Sequence, residues 1–560
     1  MCGIAGVVDA AAPRGDALLE LARRMARTLA HRGPDDAGAW ADPAAGVALG
    51  FRRLSIVDLS PEGHQPMASA GGRYVIVFNG EVYNHVELRR GLERAGVRFR
   101  GRSDTEVILA CVERWGVRDS LPRFVGMFAL AVWDAAERVL HLARDRMGIK
   151  PLFVHHRPGR LLFGSELKAL RACPHFDAAV DPDALAAYLR HLYVPAPGCI
   201  LRGVLKLPPG TLLSVRDVRA PLPEPVAWWS VRETAVHGVR APFRGDDAEA
   251  VDEAERVIGE AVALRMRADV PLGAFLSGGI DSSLVVALMQ ARSPRPVRTF
   301  TIGFGEGEWD ESAHAAAVAR HLGTEHTAAR LSGADALELV PGLPELFDEP
   351  LADPSGLPTL LVSRVARREV TVALSGDGGD ELFAGYHRYL QGEAAIRHAL
   401  RVPRWFRVAG AAGVRRVSPA AWDGAFARLG GLVPPSMRHR LPGDKLHKLA
   451  ALLAEGGAPR MYRALVSQWG DPASVVPGAR EREGAVEAAL AHAPLPLLER
   501  MLLADQLGYL PDDLLAKVDR ASMAMGLEAR VPLLDHRVVE LSWRLPRRFK
   551  VRDGEGKWIL

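Results

Sequence analysis

Short apolar segments alternate with turn residues along the first two hundred positions of the chain. Residues 74–78, 126–134, 139–143 and 161–164 combine β-branched or aromatic side chains with flanking turn residues and predict strands. Between positions 16 and 30, apolar residues recur at helical spacing, at Leu18, Leu21, Ala22, Met25 and Leu29. This pattern predicts an α+β domain in which at least one helix packs on a mainly antiparallel sheet.

The hydrophobic pattern changes after a proline-dense stretch at 219–225. Its sequence, Arg-Ala-Pro-Leu-Pro-Glu-Pro, cannot continue a helix or a central strand and predicts a linker. Beyond it, predicted strands at 270–276, 297–304 and 370–374 alternate with predicted helices at 282–290 and 312–322, which is typical of a parallel sheet. After about position 390 the pattern predicts helices without clear strands. We therefore predict a first domain at 2–215, a linker at 216–245 and a second domain at 246–560.

Composition and charge exclude several classes of protein. The 560 residues are 48% hydrophobic and 25% charged, as in an ordinary multidomain globular protein. The 71 Lys and Arg nearly balance the 67 Asp and Glu, so neither nucleic acid nor an anionic membrane is expected as a partner. The four cysteines show no disulfide or zinc spacing, and no apolar segment is long enough to span a membrane. A cytoplasmic location is expected.

Cys2 follows the initiator methionine, and this position suggests a nucleophile that carries its own base. Removal of Met1 would leave a first residue with both a thiol and a free α-amine. A terminal amine has a pKa of about 7.7 to 8.0 and can accept the thiol proton at neutral pH. The alternative interpretation is a buried apolar cysteine at the start of a strand, and the dipeptide alone does not separate the two.

Five further residues supply what attack on a glutamine side-chain amide requires. The resulting oxyanion can be stabilised by the Asn79 amide and the Gly80 N–H. Arg53 can bind the α-carboxylate of the substrate, and Glu81 and Asp104 can accept from its ammonium group. Taken alone, Arg53 or Asp104 would be better explained as a solvated surface charge.

A glycine-rich string, Leu-Ser-Gly-Gly-Ile-Asp-Ser-Ser at 276–283, lies between a predicted strand and a predicted helix. Its glycines let backbone N–H groups approach phosphate, its serines add donors, and the helix N-terminus adds a positive end. It is neither a Walker A loop nor a Gly-x-Gly-x-x-Gly motif, so kinase, GTPase and dinucleotide sites are not favoured. The string predicts a pyrophosphate cradle.

A second glycine-rich loop, Ser-Gly-Asp-Gly-Gly-Asp-Glu at 375–381, follows another predicted strand. It brings Asp377, Asp380 and Glu381 beside flexible backbone. Three acids near a phosphate loop would repel the phosphate unless a divalent cation intervened, so Mg²⁺ is predicted. The alternative is a solvated acidic turn, which the matching strand-to-helix placement of both loops argues against.

Together these motifs resemble the glutamine-hydrolysing asparagine synthetases, class II amidotransferases of the asparagine synthetase B family. The resemblance rests on strings at 1–6, 31–35 (His-Arg-Gly-Pro-Asp), 79–81, 143–152, 277–283, 375–381 and 519–524 (Asp-Arg-Ala-Ser-Met-Ala). It implies an α+β N-terminal-nucleophile glutaminase domain with sandwiched antiparallel sheets. An α/β parallel-sheet synthetase domain of the PP-loop ATP pyrophosphatase type would follow, with a helical C-terminal part.

The resemblance also implies a reaction and a role for each glutaminase residue. Cys2 would be the nucleophile, Asn79 and Gly80 the oxyanion hole, and Arg53, Asn79, Glu81 and Asp104 the glutamine site. Ammonia from glutamine would pass inside the protein to β-aspartyl-AMP made from aspartate and ATP. The products would be asparagine, glutamate, AMP and pyrophosphate.

In the second domain, the resemblance implies an ATP site and a metal site. Asp281 and Asp380 would hold Mg²⁺, Asp377 would act at the adenylated intermediate, and Lys557 would neutralise the leaving pyrophosphate. ATP would bind at Leu276, Ser277, Gly278, Gly279, Asp281, Ser282, Ile302, Ser375 and Gly376.

Two features depart from the family pattern. The family usually continues past the Gly-Lys-Trp segment, so Lys557 is expected on an end that frays, and the final C-terminal segment is expected to be missing. Residues 348–355 stand where one branch carries a Thr-Thr-Ile-Arg segment proposed to hold aspartate.

The acceptor therefore remains open, with aspartate favoured. A related amidotransferase would act on another carboxylate, of a surface polysaccharide or natural product, through a pocket near 348–360 and 386–389. A catalytically impaired truncated homologue is a further alternative, whereas Cys2 argues against a lactam-forming cyclase. A homodimer is expected because two-fold assemblies are the commonest oligomers.

Overall fold

A computed structural model of the chain describes residues 2–11, 16–304, 311–428, 442–481, 484–491 and 494–560. The strands are β1 (Gly3–Asp9), β2 (Asp36–Asp42), β3 (Val47–Arg53), β4 (Met67–Ala68), β5 (Tyr74–Val82), β6 (Gly126–Asp134), β7 (Val139–Arg144), β8 (Phe153–Arg157), β9 (Arg160–Gly164), β10 (Val204–Lys206), β11 (Thr211–Val215), β12 (Val226–Ala227), β13 (Leu272–Phe275), β14 (Arg298–Phe304), β15 (Glu325–Leu331), β16 (Val372–Leu374) and β17 (Glu528–Arg530).

The α-helices of the N-terminal part are α1 (Asp16–Arg27), α2 (His85–Arg94), α3 (Asp104–Ser120), α4 (Leu167–Arg171) and α5 (Pro182–His191). Those that follow are α6 (Val231–Arg240), α7 (Asp247–Arg265), α8 (Ile280–Gln290), α9 (Ser312–Leu322), α10 (Gly333–Leu339), α11 (Leu343–Phe347), α12 (Gly356–Ala366), α13 (Gly379–Phe383), α14 (His387–Ala399), α15 (Arg404–Arg415), α16 (Pro419–Arg428), α17 (Pro442–Ala454), α18 (Ala458–Val466), α19 (Ala485–Leu490), α20 (Leu497–Leu507), α21 (Leu515–Met523), α22 (His536–Arg544) and α23 (Arg547–Lys550). None of the described helices is long and apolar enough to cross a membrane.

Two six-stranded antiparallel sheets form the N-terminal part, in the orders β10-β8-β9-β1-β3-β2 and β12-β11-β7-β6-β5-β4. Because side chains alternate across a strand, each sheet has two apolar faces to bury. Ile4 and Val77 point into the core between the sheets. Ala5 points to the layer of α1, whereas Phe78 points to the layer of α3. The result is a four-layer sandwich of helix, sheet, sheet and helix.

A five-stranded sheet with parallel pairing throughout, β15-β14-β13-β16-β17, forms the C-terminal part. Ala274 of β13 packs with Val285 of α8 in one core, while Phe300 of β14 packs with Ala366 of α12 on the opposite face. Since the strands run in one direction, the loops after β13, β14 and β16 meet at one edge, where open α/β sheets bind ligands.

Most predicted elements agree with the structure within a few residues, and the predicted fold class is confirmed. The prediction of no strand after about position 390 is wrong, because β17 pairs with the edge of β16. Its Glu528 and Arg530 are fully buried and pair with each other at 2.6 Å. Charged residues neutralise one another inside this strand, so its hydrophobic pattern does not reveal it.

Part of the predicted linker is regular structure. Residues 231–240 form α6, whose Ala235 lies in the same core as Trp543 of α22. The proline-dense stretch before it carries only the two-residue strand β12. The division of the chain at 216–245 remains a prediction.

A buried set of charges joins the two parts of the chain. Arg32 is fully buried and donates to Glu166 at 2.7 Å and to Asp519 at 2.8 and 3.0 Å. Arg520 lies 2.9 Å from Glu166, and Lys150 lies 3.4 Å from Asp519. Burial alone would raise the pKa of Asp519, but Arg32 and Lys150 hold it below its ordinary value. Each buried charge in this set is therefore stabilised in its ionised form by its oppositely charged neighbours.

Replacing Asp519 by Asn should destabilise the protein, because it leaves Arg32 and Lys150 as buried cations without their shared anion. Breaking a buried pair in this way typically costs about 3 to 5 kcal/mol. The thermal unfolding midpoint measured by calorimetry should fall clearly. Glu137→Gln, which breaks the exposed pair with Arg216, is the matched control and should leave the midpoint unchanged. Equal midpoints for the two variants would contradict a structural role of the buried charges.

Candidate active site

Cys2 lies just before β1, in the core between the two antiparallel sheets. Its backbone N–H donates to Asn79 Oδ1 at 3.0 Å. Burial raises the pKa of the thiol to about 11, although the Leu54 N–H and the charge of Arg53 act in the opposite direction. The thiol is therefore protonated at neutral pH and needs a base before it can act as a nucleophile.

Asn79 is fully buried in β5, and its Nδ2 has no hydrogen-bond partner. The contact between Oδ1 and Cys2 fixes the amide, which leaves Nδ2 as a spare donor beside the nucleophile. Gly80 has a φ of +153°, and a side chain here would overlap the Met127 carbonyl oxygen. Only glycine fits this turn of backbone next to Asn79.

Arg53 is buried at the end of β3. One terminal nitrogen donates to the Ser60 carbonyl at 3.0 Å, and the other donates to the Asp58 carbonyl. A guanidinium group has five N–H donors, so each terminal nitrogen retains a hydrogen for a substrate carboxylate. The loop at 58–60 thus orients the guanidinium group and leaves N–H donors free for a substrate.

Glu81 and Asp104 supply two buried carboxyls at the same end of β5. Asp104 Oδ2 accepts the Val82 N–H at 2.9 Å, and Glu81 Oε1 lies 3.9 Å from Arg530. Burial raises the pKa of both groups. A bound ammonium group would offset this cost of burial, since an opposite charge favours the ionised carboxylate.

The second site is a cavity of about 440 Å³ at the edge of the parallel sheet. Predicted residues that line it are Leu276, Ser277, Asp281, Ser282, Ile302, Ser375, Gly376, Asp377 and Asp380. Gly278 and Gly279 belong to the same loop but not to the cavity wall. The structure therefore brings the two glycine-rich loops together, as their matching positions after β13 and β16 predicted.

Close packing joins the two loops. Ser282 Oγ accepts the Ser277 N–H at 3.2 Å and lies 2.9 Å from Ser277 Oγ, which closes the first loop on itself. A side chain at Gly376 would lie 2.7 Å from the Ser282 backbone nitrogen. The second loop can approach the start of α8 only because this residue is glycine. Asp377 Oδ2 accepts the Ser375 hydroxyl at 2.7 Å.

Lys557 lies between two of the predicted metal ligands. Its Nζ is 2.6 Å from Asp281 Oδ2 and 2.8 Å from Asp380 Oδ1. Its N–H donates to the Phe383 carbonyl at 2.9 Å, and the nearby Ile559 is buried. The expectation that Lys557 lies on a frayed end is wrong, because these ion pairs, backbone hydrogen bonds and apolar contacts hold the segment.

Asp281 and Asp380 are the two carboxylates predicted to hold Mg²⁺. Among the described residues, no three acidic, histidine or cysteine side chains cluster as metal ligands. Asp281 Oδ1 is buried without a hydrogen-bond partner, and burial raises the pKa of this carboxyl to about 6 despite Lys557. Asp281 and Asp380 therefore fit the usual mode of Mg²⁺ binding, by one or two carboxylates together with substrate phosphates.

Glu381, the third acid of the loop, also lines the cavity but pairs with Tyr386. It is only 1% exposed, and its Oε1 accepts the Tyr386 hydroxyl at 2.7 Å. The sequence grouped Glu381 with Asp377 and Asp380. Because α13 begins at Gly379, the helix turns Glu381 towards Tyr386 instead.

The segment expected to hold the acceptor divides into two. Asp348 accepts the Lys168 N–H at 3.0 Å, and Glu349 pairs with Lys206 at 2.6 Å, so these acids face the N-terminal part. Ser355 and Thr359 do line the cavity. Only the later residues of 348–360 therefore line the cavity, and their role in holding the acceptor stays a prediction.

The other segment expected to hold the acceptor, residues 386–389, also contributes only in part to the cavity wall. Tyr386 lines the cavity. Arg388 and Tyr389 donate to the buried carboxylate of Asp505, each at 2.6 Å. They support the wall without forming it.

Two basic residues near these sites were not predicted. Arg32 Nε donates to the Cys2 carbonyl at 3.1 Å, and Lys517 lines the cavity. The His-Arg-Gly-Pro-Asp string marked Arg32 as part of a motif without indicating a contact. Lys517 lies two residues before the string at 519–524, within α21.

Two family models together match most of the chain. The glutamine amidotransferase domain matches residues 1–226, and asparagine synthase matches residues 253–560. The chain belongs to the asparagine synthase family. Membership confirms the resemblance found in the sequence and makes the chain an enzyme of glutamine-dependent, ATP-driven amide formation.

Relatives match along the whole chain. The putative glutamine-hydrolysing asparagine synthetase of Mycobacterium tuberculosis (strain H37Rv) is 36% identical over 587 residues, covering 100% of this chain and 84% of the relative. Glutamine-hydrolysing asparagine synthetase 1 of Bacillus subtilis is 32% identical over 573 residues, covering 100% and 83%. Among solved structures, the glutamine phosphoribosylpyrophosphate amidotransferase of B. subtilis has 16% identity and a TM-score of 0.30, covering 58% of this chain and 65% of that chain.

Proposed function

We propose that the chain synthesises asparagine from aspartate, ATP and glutamine, releasing glutamate, AMP and pyrophosphate. One observation carries this proposal: a single chain holds a buried thiol beside a spare amide donor and, in its second part, a cavity lined by two glycine-rich loops whose acids Asp281 and Asp380 pair with Lys557. The first site suits glutamine hydrolysis, and the second suits adenylation of a carboxylate.

At the first site, Cys2 would attack the glutamine side-chain carbonyl. With Met1 removed, the α-amine of Cys2 accepts the thiol proton, which offsets the cost of forming a thiolate in a buried position. Asn79 Nδ2 and the Gly80 N–H stabilise the oxyanion. Arg53 holds the α-carboxylate, and Glu81 and Asp104 hold the ammonium group. Ammonia leaves, and water then hydrolyses the thioester to glutamate.

At the second site, the two loops would bind the ATP phosphates through backbone N–H groups and serine hydroxyls. Leu276 and Ile302 contact the nucleotide. The acceptor carboxylate attacks the α-phosphorus, pyrophosphate leaves, and ammonia displaces AMP from the mixed anhydride. Mg²⁺ held by Asp281 and Asp380 would neutralise phosphate charge, and Asp377 lies where it can act on the adenylated intermediate.

Lys557 provides a positive charge where the pyrophosphate charge develops. Burial acts to lower the pKa of Lys557, but Asp281 and Asp380 raise it above its ordinary value. The ammonium group therefore persists at neutral pH. Its side chain is only 15% exposed, and a fixed cation that is largely removed from water is worth more than the same charge in solution.

We also propose the cytoplasm as the compartment, because all four cysteines are free and buried in the structure. A homodimer remains a prediction.

Cys2→Ala should abolish asparagine formation from glutamine while sparing formation from added ammonium, because only the first site is lost. Asn79→Ala should lower glutaminase kcat by about 10²- to 10³-fold through loss of one oxyanion donor. Product analysis with each nitrogen source checks both results. Equal loss of glutamine- and ammonium-dependent synthesis in Cys2→Ala would contradict the two-site account.

Lys557→Met should lower pyrophosphate release with ATP, aspartate and ammonium by about 10²-fold or more, while glutaminase activity persists. Without the lysine, Asp281 and Asp380 repel each other and the leaving group. Lys448→Met, at an exposed lysine of α17 outside the cavity, is the matched control and should retain both activities. Full pyrophosphate release by Lys557→Met would show that its charge is not used.

A further inference from the structure

The wall of the second cavity includes charged residues that ATP binding does not explain. Besides the two loops, its wall includes Lys517 of α21, Ser355 before α12, and Glu381 and Tyr386. Lys517 and Glu381 are opposite charges that come from distant parts of the chain. Both are almost fully buried, at 6% and 1% exposure.

Two contacts hold the Lys517 ammonium group in place and leave one of its N–H donors free. Its Nζ lies 2.9 Å from Asp353 Oδ2 and donates to Ser355 Oγ at 2.7 Å. Asp353 in turn accepts the Ser355 N–H and hydroxyl at 2.8 and 2.7 Å. An ammonium group has three N–H donors, so one remains for a ligand in the cavity.

Glu381 has one carboxylate oxygen that is free to accept a hydrogen bond from a ligand. Tyr386 donates to Oε1, whereas the buried Oε2 has no hydrogen-bond partner. Buried polar atoms are nearly always hydrogen-bonded, so an orphan oxygen in a cavity wall points to a ligand donor.

We propose that Lys517 and Glu381 bind the two charged groups of a free α-amino acid acceptor, Lys517 its α-carboxylate and Glu381 its α-ammonium group. This inference rests on the proposed function. The side-chain carboxylate of the acceptor is then left to face the phosphate loops, where it is adenylated. A uronic acid or an internal peptide residue lacks the ammonium group and would leave Glu381 Oε2 unpaired.

Lys517 and Glu381 together would select an acceptor that carries both an α-carboxylate and an α-ammonium group. Loss of a hydrogen bond to a charged group typically costs a factor of about 10 to 100 in binding. Succinate lacks the ammonium group of aspartate, and L-isoasparagine has an amide in place of the α-carboxylate. Both keep the carboxylate that reacts, so each removes one of the two proposed contacts.

The test measures pyrophosphate release by the full chain with ATP, Mg²⁺ and ammonium, using L-aspartate, succinate and L-isoasparagine as acceptors. The native protein should prefer aspartate over each analogue by about 10- to 100-fold in kcat/KM. Lys517→Met should lose the preference over isoasparagine, and Glu381→Gln should lose the preference over succinate. The KM for ATP should stay unchanged in both variants.

This crossed loss of preference separates recognition from structural damage, because a damaged fold lowers activity with all acceptors alike. Lys448→Met is the control and should keep both preferences. For a variant that fails to turn over, calorimetric titration of L-aspartate into the full chain gives the same comparison.

Two results would overturn the inference in distinguishable ways. If aspartate is used but both variants keep the native preferences, the subsite is wrong and the proposed function stands. If a uronic acid or peptide carboxylate supports release and aspartate does not, the acceptor in the proposed function is wrong as well.

Discussion

Arg32 holds together the two halves of this enzyme. Its Nε binds the carbonyl of Cys2, and its terminal nitrogens bind Asp519 of α21. Charges removed from water must be paired, so neither half can shift without leaving a buried ion unpaired. The nucleophile is thereby fixed relative to α21, the helix that also carries Lys517 into the second cavity.

Each site depends on polar groups that the fold has partly satisfied and then left with one free position. Asn79 uses Oδ1 on Cys2 and keeps Nδ2 free, and Glu381 uses Oε1 on Tyr386 and keeps Oε2 free. The first contact of each group fixes its orientation, so the free atom is aimed before substrate binds. Such preorganisation avoids the cost of ordering the group during the reaction.

Much of this arrangement could be predicted from the sequence, because strand patterns and glycine-rich loops are local signals. The loop at 276–283 needed only its flanking strand and helix to be placed at the sheet edge. Lys557 was misjudged because its anchors, Asp281 and Asp380, lie far away in the sequence. Strand β17 was missed because Glu528 and Arg530 satisfy each other, and Lys517 because a lone lysine in a helix gives no sign of burial.

The central claim is that the ammonia released at Cys2 is consumed within the same chain. Synthesis from glutamine labelled with ¹⁵N in its side-chain amide, in the presence of excess unlabelled ammonium at a pH where both nitrogen sources are used, tests it directly. Mass spectrometry of the product should show ¹⁵N in asparagine well above the labelled fraction of the ammonium in solution. Labelling equal to that fraction would show that ammonia escapes to solvent first, which would contradict the account.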